Sequence, residues 1–446
     1  GANAANVGNS ITLNITGGSI NRVFGGNNAS GTISGTITVN VNWNTTDPCG
    51  YNYIGNVFGG GNLAQYSGSP VVNILNGTVS ENVYGGGKGD PDDHTKGQVT
   101  GNPVVTIGDA TKLSDDNVQA IVTGDVYGGG DAGNVAGTPQ VNVINKCNTT
   151  IGYIYGGGNA ADVSGTNVTI DGGTITHDVF GGGHGDKASL NTDTETGHSD
   201  KVANVNGNAS VTITGGTIDR VFAGSNINGT ISGTNNTLSI NKGDTSCDMK
   251  IGEVYGGGNL ANGNATSISV GCTGDWTTTG EHNNMNANGS DNRIGYELEG
   301  IGTIYGGANQ ANIGTTETPS PITLNINSGM VANVFGGNNT SGDINGTITV
   351  NINKTSDACG WYVGNVFGGG NVAAYSGTPD VNIQAGTVSG SVYGGGNEAG
   401  VGGGDVSMTG GSVLGGIYGG CNTSGTVTGD ITVNITGGTV GTSSAK

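Results

Sequence analysis

Apolar positions recur along this 446-residue chain in two short patterns, and both have the spacing of an extended strand. In the first, β-branched and polar residues alternate: ITLNI at 11–15, ITVNV at 37–41, VVNI at 71–74, VNVI at 141–144, NVTI at 167–170, and ITVNI at 348–352 and 431–435. Period-2 alternation of Val, Ile and Thr predicts half-buried strands. The second pattern is [VI]-[FY]-G-G-G-N, with small variations. Its aromatics are Phe24, Phe58, Tyr84, Tyr127, Tyr155, Phe180, Phe222, Tyr255, Tyr305, Phe335, Phe367, Tyr393 and Tyr418. Val or Ile precedes every one of these thirteen, and they use all six Phe of the chain.

The two patterns alternate, separated by turns. SG[ST]P or AGTP leads into the first strand at Ser67–Pro70, Ala136–Pro139 and Ser376–Pro379, with Pro where the strand begins. One short copy, 376–397, reads turn, strand, turn, strand, glycine corner, with no helical periodicity. The closest aromatics stand 25 or 26 residues apart, too few for a propeller blade or a helix-containing leucine-rich repeat. The expected fold is therefore all-β: a single-stranded parallel β-helix (β-solenoid) of about 13 coils over residues 1–446, expected to be right-handed, with coils about 4.8 Å apart. Two long gaps, 88–101 and 184–207, follow the glycine corner. A third, 271–300, follows a strand and should leave from another edge. Asn62, Asn159, Asn259, Asn371 and Asn397, which follow the glycines, could stack as a hydrogen-bonded ladder. A superrepeat is also present: residues 11–87 resemble 322–396.

Neighbours in a strand point to opposite faces. If the Val or Ile before each ring points inward, the ring points outward as a ladder along the coils; if the strand bends at the glycines, the ring tucks into the corner. The packed corner is the expectation, because thirteen exposed rings would form a large sticky patch.

Composition narrows the function classes. Gly accounts for 93 residues, charged residues for 10 % and hydrophobic residues for 33 %, too little apolar material for a conventional core of this length. Thin coils with small interiors resolve that shortage. The net charge of −20 repels nucleic-acid phosphates, so no nucleic-acid partner is expected. No apolar run approaches the roughly 20 residues of a membrane-spanning helix, so no transmembrane segment is expected. No signal peptide opens the chain, as fits a mature secreted protein, an excised fragment or a cytosolic protein alike. Of the six Cys (49, 147, 247, 272, 359 and 421) none forms a CxxC pair. Disulfides are permitted, but buried thiols filling small gaps are the simpler expectation.

Candidate chemistry is sparse. Parallel β-helices include polysaccharide-cleaving enzymes, and fragments of a polygalacturonase-like set occur: Asp92-Asp93, Gly183-His184-Gly185 and Asn191-Thr192-Asp193. GHG precedes NTD within one insertion, and RIK is absent, so neighbouring coils do not present the set; no catalytic residue is assigned. Asp90, Asp92 and Asp93 in one insertion, with Asp186, Asp193 and Glu195 in the other, are candidate Ca²⁺ ligands, as carboxylates in loops supply hard oxygen donors. Solvated acidic loops are the plainer reading, so no cofactor beyond a possible Ca²⁺ is expected. Thr36-Ile37-Thr38 and Thr426-Val427-Thr428 hint at an ice-binding array, but such triplets do not recur on every coil.

The coil pattern resembles the right-handed β-helix repeats of bacterial surface adhesins, autotransporter passengers and filamentous-haemagglutinin-like proteins. The resemblance covers the whole chain at the level of architecture and carries over no functional residue. It implies an extracellular, surface-displayed, non-catalytic stalk, adhesin or filament segment. The expected partners are further coils, stacked end to end or in a longer array, and surface glycans. The alternative is a carbohydrate-binding or carbohydrate-active β-helix with its site on the long insertions.

Overall fold

The computed structural model describes residues 1–43, 53–190, 200–243, 247–274, 293–356 and 359–441. Strands stack in parallel, each hydrogen-bonded to the corresponding strand of the next coil. The chain divides into two compact units. The first holds Gly1–Val211, Gly215–Ile218 and Ser225–Gly233; the second holds Thr212–Thr214, Asp219–Gly224 and Thr234–Lys446. Each unit is a parallel β-solenoid, as the two strand patterns predict.

The alternating strands form the first face of each coil. In the first unit one inward column runs Leu13, Val39, Val72, Val105, Val141, Val168, and the next runs Ile15, Val41, Ile74, Ile107, Val143, Ile170. The second unit repeats the arrangement with Leu238, Ile268, Leu324, Val350, Val381, Val406 and Val433. Because the side-chain period is 2, a slip of one residue would turn every one of these to solvent, and this fixes the register. Polar residues between them face outward and form amide ladders of their own. Asn40 donates to Asn14 at 2.9 Å and Asn73 to Asn40 at 2.8 Å; Asn351 donates to Asn325 at 2.9 Å and Asn382 to Asn351 at 3.2 Å. The superrepeat seen in the sequence is thus also a repeat of side-chain bonding.

The aromatic motifs end the second face. Its inward column in the first unit is Val23, Val57, Val83, Val126, Ile154 and Val179. A third, narrow face is held by single bridges, such as Tyr66–Val99–Val135–Val163–Val205 in the first unit and Tyr375–Val401–Val427 in the second. Between the first and second faces the chain turns at a left-handed glycine. Gly77 (φ +95°) and Gly386 (φ +91°) lie beneath Trp43 and Trp361, where a Cβ would strike the indole. The Trp361 indole N–H closes the turn by donating to Thr387 O at 2.8 Å.

Both corner insertions open in the same way. Short antiparallel bridges, Asp90–Asp93 and Asp186–Lys201, lift the chain out of the parallel stack. The third insertion leaves after the strand Thr266–Cys272, at the opposite end of the first face from the glycine corner. Its base carries a correction to the sequence reading: Cys272 and Cys359 are joined in a disulfide, with Cα atoms 6.4 Å apart. Sequence spacing cannot reveal this pair, since 87 residues separate two cysteines that the coil repeat brings to neighbouring positions. Cys421 remains a free thiol.

Candidate corner site in the first unit

The rings pack as two stacked ladders, one in each unit. Phe24, Phe58, Tyr84, Tyr127, Tyr155 and Phe180 follow one another at 4.9, 4.7, 4.9, 4.8 and 5.0 Å between centroids. In the second unit Phe222, Tyr255, Tyr305, Phe335, Phe367, Tyr393 and Tyr418 are spaced at 4.4–5.1 Å. Stacked, near-parallel aromatics add about 0.5–1.5 kcal/mol per pair beyond their burial. Most of these rings are buried; Phe180 and Phe222 are fully so.

The rings do not enter the interior shared by the Val and Ile columns. They lie on the opposite face of the strand, with the polar residue two positions earlier. Tyr127 Oη donates to Asp125 at 2.9 Å, Tyr255 Oη donates to Glu253 at 2.8 Å, and Asn82 Nδ2 donates to Tyr84 Oη at 3.1 Å. The two placements weighed from sequence are therefore both partly right: the rings face outward as a ladder, and they are buried. The residue after each ring, glycine everywhere but Ala223, turns back to the interior, where Gly59 sits against Val72 and Pro70, and Gly128 against Pro139. The chain then carries the residue four positions past the ring over the ladder. Asn226 Nδ2 reaches Tyr155 Oη at 3.1 Å, and Asn339 Nδ2 reaches Tyr255 Oη at 3.0 Å.

That covering position forms the asparagine ladder expected from sequence. In the second unit it is unbroken: Asn309 donates to Asn259, Asn339 to Asn309, Asn371 to Asn339, Asn397 to Asn371 and Asn422 to Asn397, at 2.9–3.2 Å. In the first unit the same position reads Asn28, Asn62, Lys88, Asp131, Asn159, His184, Asn226. Asp131 and His184 fit the direction of the ladder: Asn159 Nδ2 donates to Asp131 Oδ1 at 2.9 Å, and His184 Nδ1, as donor, meets Asn159 Oδ1 at 3.0 Å.

The same coils change the position two residues before the ring. It holds Asp125, Tyr153 and Asp178 in succession. Tyr153 stacks at 6.1 Å on Tyr155, and His177 meets it edge-on at 4.5 Å. The His184 ring tilts over Tyr155 at 5.1 Å. Burial pushes the Asp125 carboxyl above its ordinary range, and the Tyr127 hydroxyl bond only partly offsets this. Burial holds the His184 imidazole below its ordinary range. Tyr127 and Tyr155 are pushed far up by burial and nearby carboxylates, so both stay neutral hydroxyls. The arrangement offers aromatic edges and faces, carboxylates and amides close together, suited to hydroxyl-rich ligands.

Of the acidic residues singled out in the sequence, Asp90 and Asp93 are occupied by local bonds. Asp90 pairs with Lys96 at 3.1 Å and accepts from Asp92 N at 3.1 Å, while Asp93 accepts from Thr95 N and Oγ1 at 3.2 and 2.6 Å. Asp186 stands in the bridge to Lys201, and Asp193 and Glu195 lie outside the described residues. Among the described residues no three ligating side chains gather as a metal site would require. Sequence reasoning missed Asp125, Asp131, Tyr153, His177 and Asp178. Their signal was present: aligning the thirteen motifs and reading the offsets −2 and +4 picks out four of the five at once.

The fold places the chain among parallel β-solenoids. Comparison with protein-family models, curated proteins and solved structures yields no match. No helix among the described residues is long and apolar enough to cross a membrane.

Proposed function

We propose that this chain is a non-catalytic extracellular structural and adhesive repeat, serving as a stalk, adhesin or filament segment. The observation that carries this reading is the uninterrupted stacking within each unit: backbone ladders and ring ladder run along the coil axis, joined in the second unit by an unbroken amide ladder, so tension along that axis is shared by every coil. The disulfide Cys272–Cys359 supports an oxidising compartment. Assembly through further coils is supported by the strand Ile431–Ile435, where Ile431, Val433 and Ile435 stand exposed. Another coil of a longer array, or a second copy, would cover them.

Electron microscopy across a concentration series tests the assembly. The expected result is end-to-end growth with rising concentration. Separate short particles at every concentration would contradict it. Carbohydrate binding is the second reading, favoured by the aromatic and carboxylate cluster around Tyr153.

A further inference from the structure

Two irregularities fall on the same few coils of the first unit. One is chemical: Lys88, Asp131 and His184 replace asparagine in the covering ladder, and Asp125, Tyr153 and Asp178 fill the position two residues before the rings. The other is geometric. The chain leaves the parallel stack at the Asp90–Asp93 and Asp186–Lys201 bridges, after the coils of Tyr84 and Phe180, and the coils of Tyr127 and Tyr155 come between these two in the stack. The ring-to-ring steps across this stretch are 4.9, 4.8 and 5.0 Å. The first insertion packs onto its neighbour, with His94 Nδ1 2.6 Å from Ala132 O, and the second returns to the corner through the Asp186–Lys201 bridge. The coils of Tyr127 and Tyr155 carry half-buried Asp125, Asp131, Tyr153 and Asn159, and exposed His177 meets the Tyr153 ring.

We infer that this stretch of the corner binds a neutral saccharide chain; the inference deepens the adhesive reading and rests on it. A sugar presents C–H faces and a dense set of hydroxyls. Tyr153, with His177 set edge-on, supplies the aromatic contact for the first. Half-buried Asp125, Asp131 and Asn159 supply acceptors and an amide for the second. In so small an interface a half-buried carboxylate bonds a hydroxyl more strongly than a neutral acceptor does. The sign of the surroundings selects against acidic sugars. The chain carries −20 overall, and Asp125, Asp131 and Asp178 stand within the stretch against Lys88. In the second unit the covering ladder is unbroken asparagine, and the position two residues before the ring holds no aromatic from Arg220 to Gly416.

The test is calorimetric titration of the whole chain with cellohexaose, xylohexaose, mannohexaose and maltohexaose, with oligogalacturonate as the charged comparison. The expected result is saturable binding of at least one neutral oligosaccharide and none of oligogalacturonate. Tyr153→Ala and the exposed His177→Ala should each weaken binding at least tenfold. Tyr296→Ala, at an exposed tyrosine of the second unit, should leave it unchanged. Thermal melts of each variant separate lost binding from lost fold, and His177→Ala keeps the test decisive if Tyr153→Ala unfolds. No binding of any neutral probe overturns the inference, as does binding indifferent to His177→Ala or preference for oligogalacturonate. Those failures leave end-to-end growth in the microscope untouched, so the saccharide site can fall while the structural reading stands.

Discussion

The corner of the second unit and the corner of the first are built on the same motif and differ in what covers the rings. In the second, asparagine occupies the covering position from Asn259 to Asn422, each side chain between these two both donating and accepting along the ladder. In the first, that run is broken at Lys88, Asp131 and His184, yet the rings beneath remain stacked and buried. The difference teaches that the ring ladder, not the amide ladder, holds the corner together. The amide ladder is the layer in which chemistry can vary.

The largest effect should come from the layer shared by both corners. Phe58→Ala and Phe367→Ala each remove a buried ring stacked on both sides, and each should cost about 3–5 kcal/mol in denaturant unfolding. A large loss in one corner and a negligible one in the other would break the equivalence of the two ladders. Next comes the Cys272–Cys359 disulfide of the second unit. Reducing Cys272–Cys359 should lower stability by about 2–4 kcal/mol, seen in calorimetric scans as a downward shift of the transition that reports the second unit.

Smaller effects come from the covering layer. Asn339→Ala removes bonds to Asn309, Asn371 and the Tyr255 hydroxyl and should cost about 1–2 kcal/mol by the same unfolding assay. The smallest effect sharpens the contrast through pH. Burial raises the Asp125 carboxyl above its ordinary 3.8, so folding favours the protonated form. Its favourable contribution is complete below pH 3.8 and is lost as pH rises through the raised value. Asp125→Asn keeps an acceptor for the Tyr127 hydroxyl and removes the buried charge. Its melting temperature should exceed that of the parent at pH 7, with the gain shrinking towards pH 4.

Much of the scaffold was legible in the sequence. Period-2 alternation located the first face, the invariant Val or Ile before each ring located the interior of the second, and asparagines after the glycines marked a real ladder. The orientation of the rings was not legible, because it depends on the chain folding back over them after the corner, as Asn226 and Asn339 do. The disulfide was hidden for a similar reason: the coil repeat, not sequence distance, sets which cysteines meet. The candidate site was half legible. The two insertions pointed to coils next to the cluster, but Asp90 and Asp93 of the first are occupied by Lys96 and Thr95, while the side chains that cluster sit in the regular part of the repeat. A residue in a repeat is conspicuous only against its own column, and Tyr153 stands out only beside Asp125 and Asp178.

The central claim is that the covering layer of the first unit departs from asparagine for function and not for folding. Restoring the ladder with Lys88→Asn, Asp131→Asn and His184→Asn in one chain tests it most directly, with melting temperature and neutral-oligosaccharide binding read on the same sample. The account predicts an unchanged or higher melting temperature with binding lost. A lower melting temperature, or binding that survives intact, would contradict it.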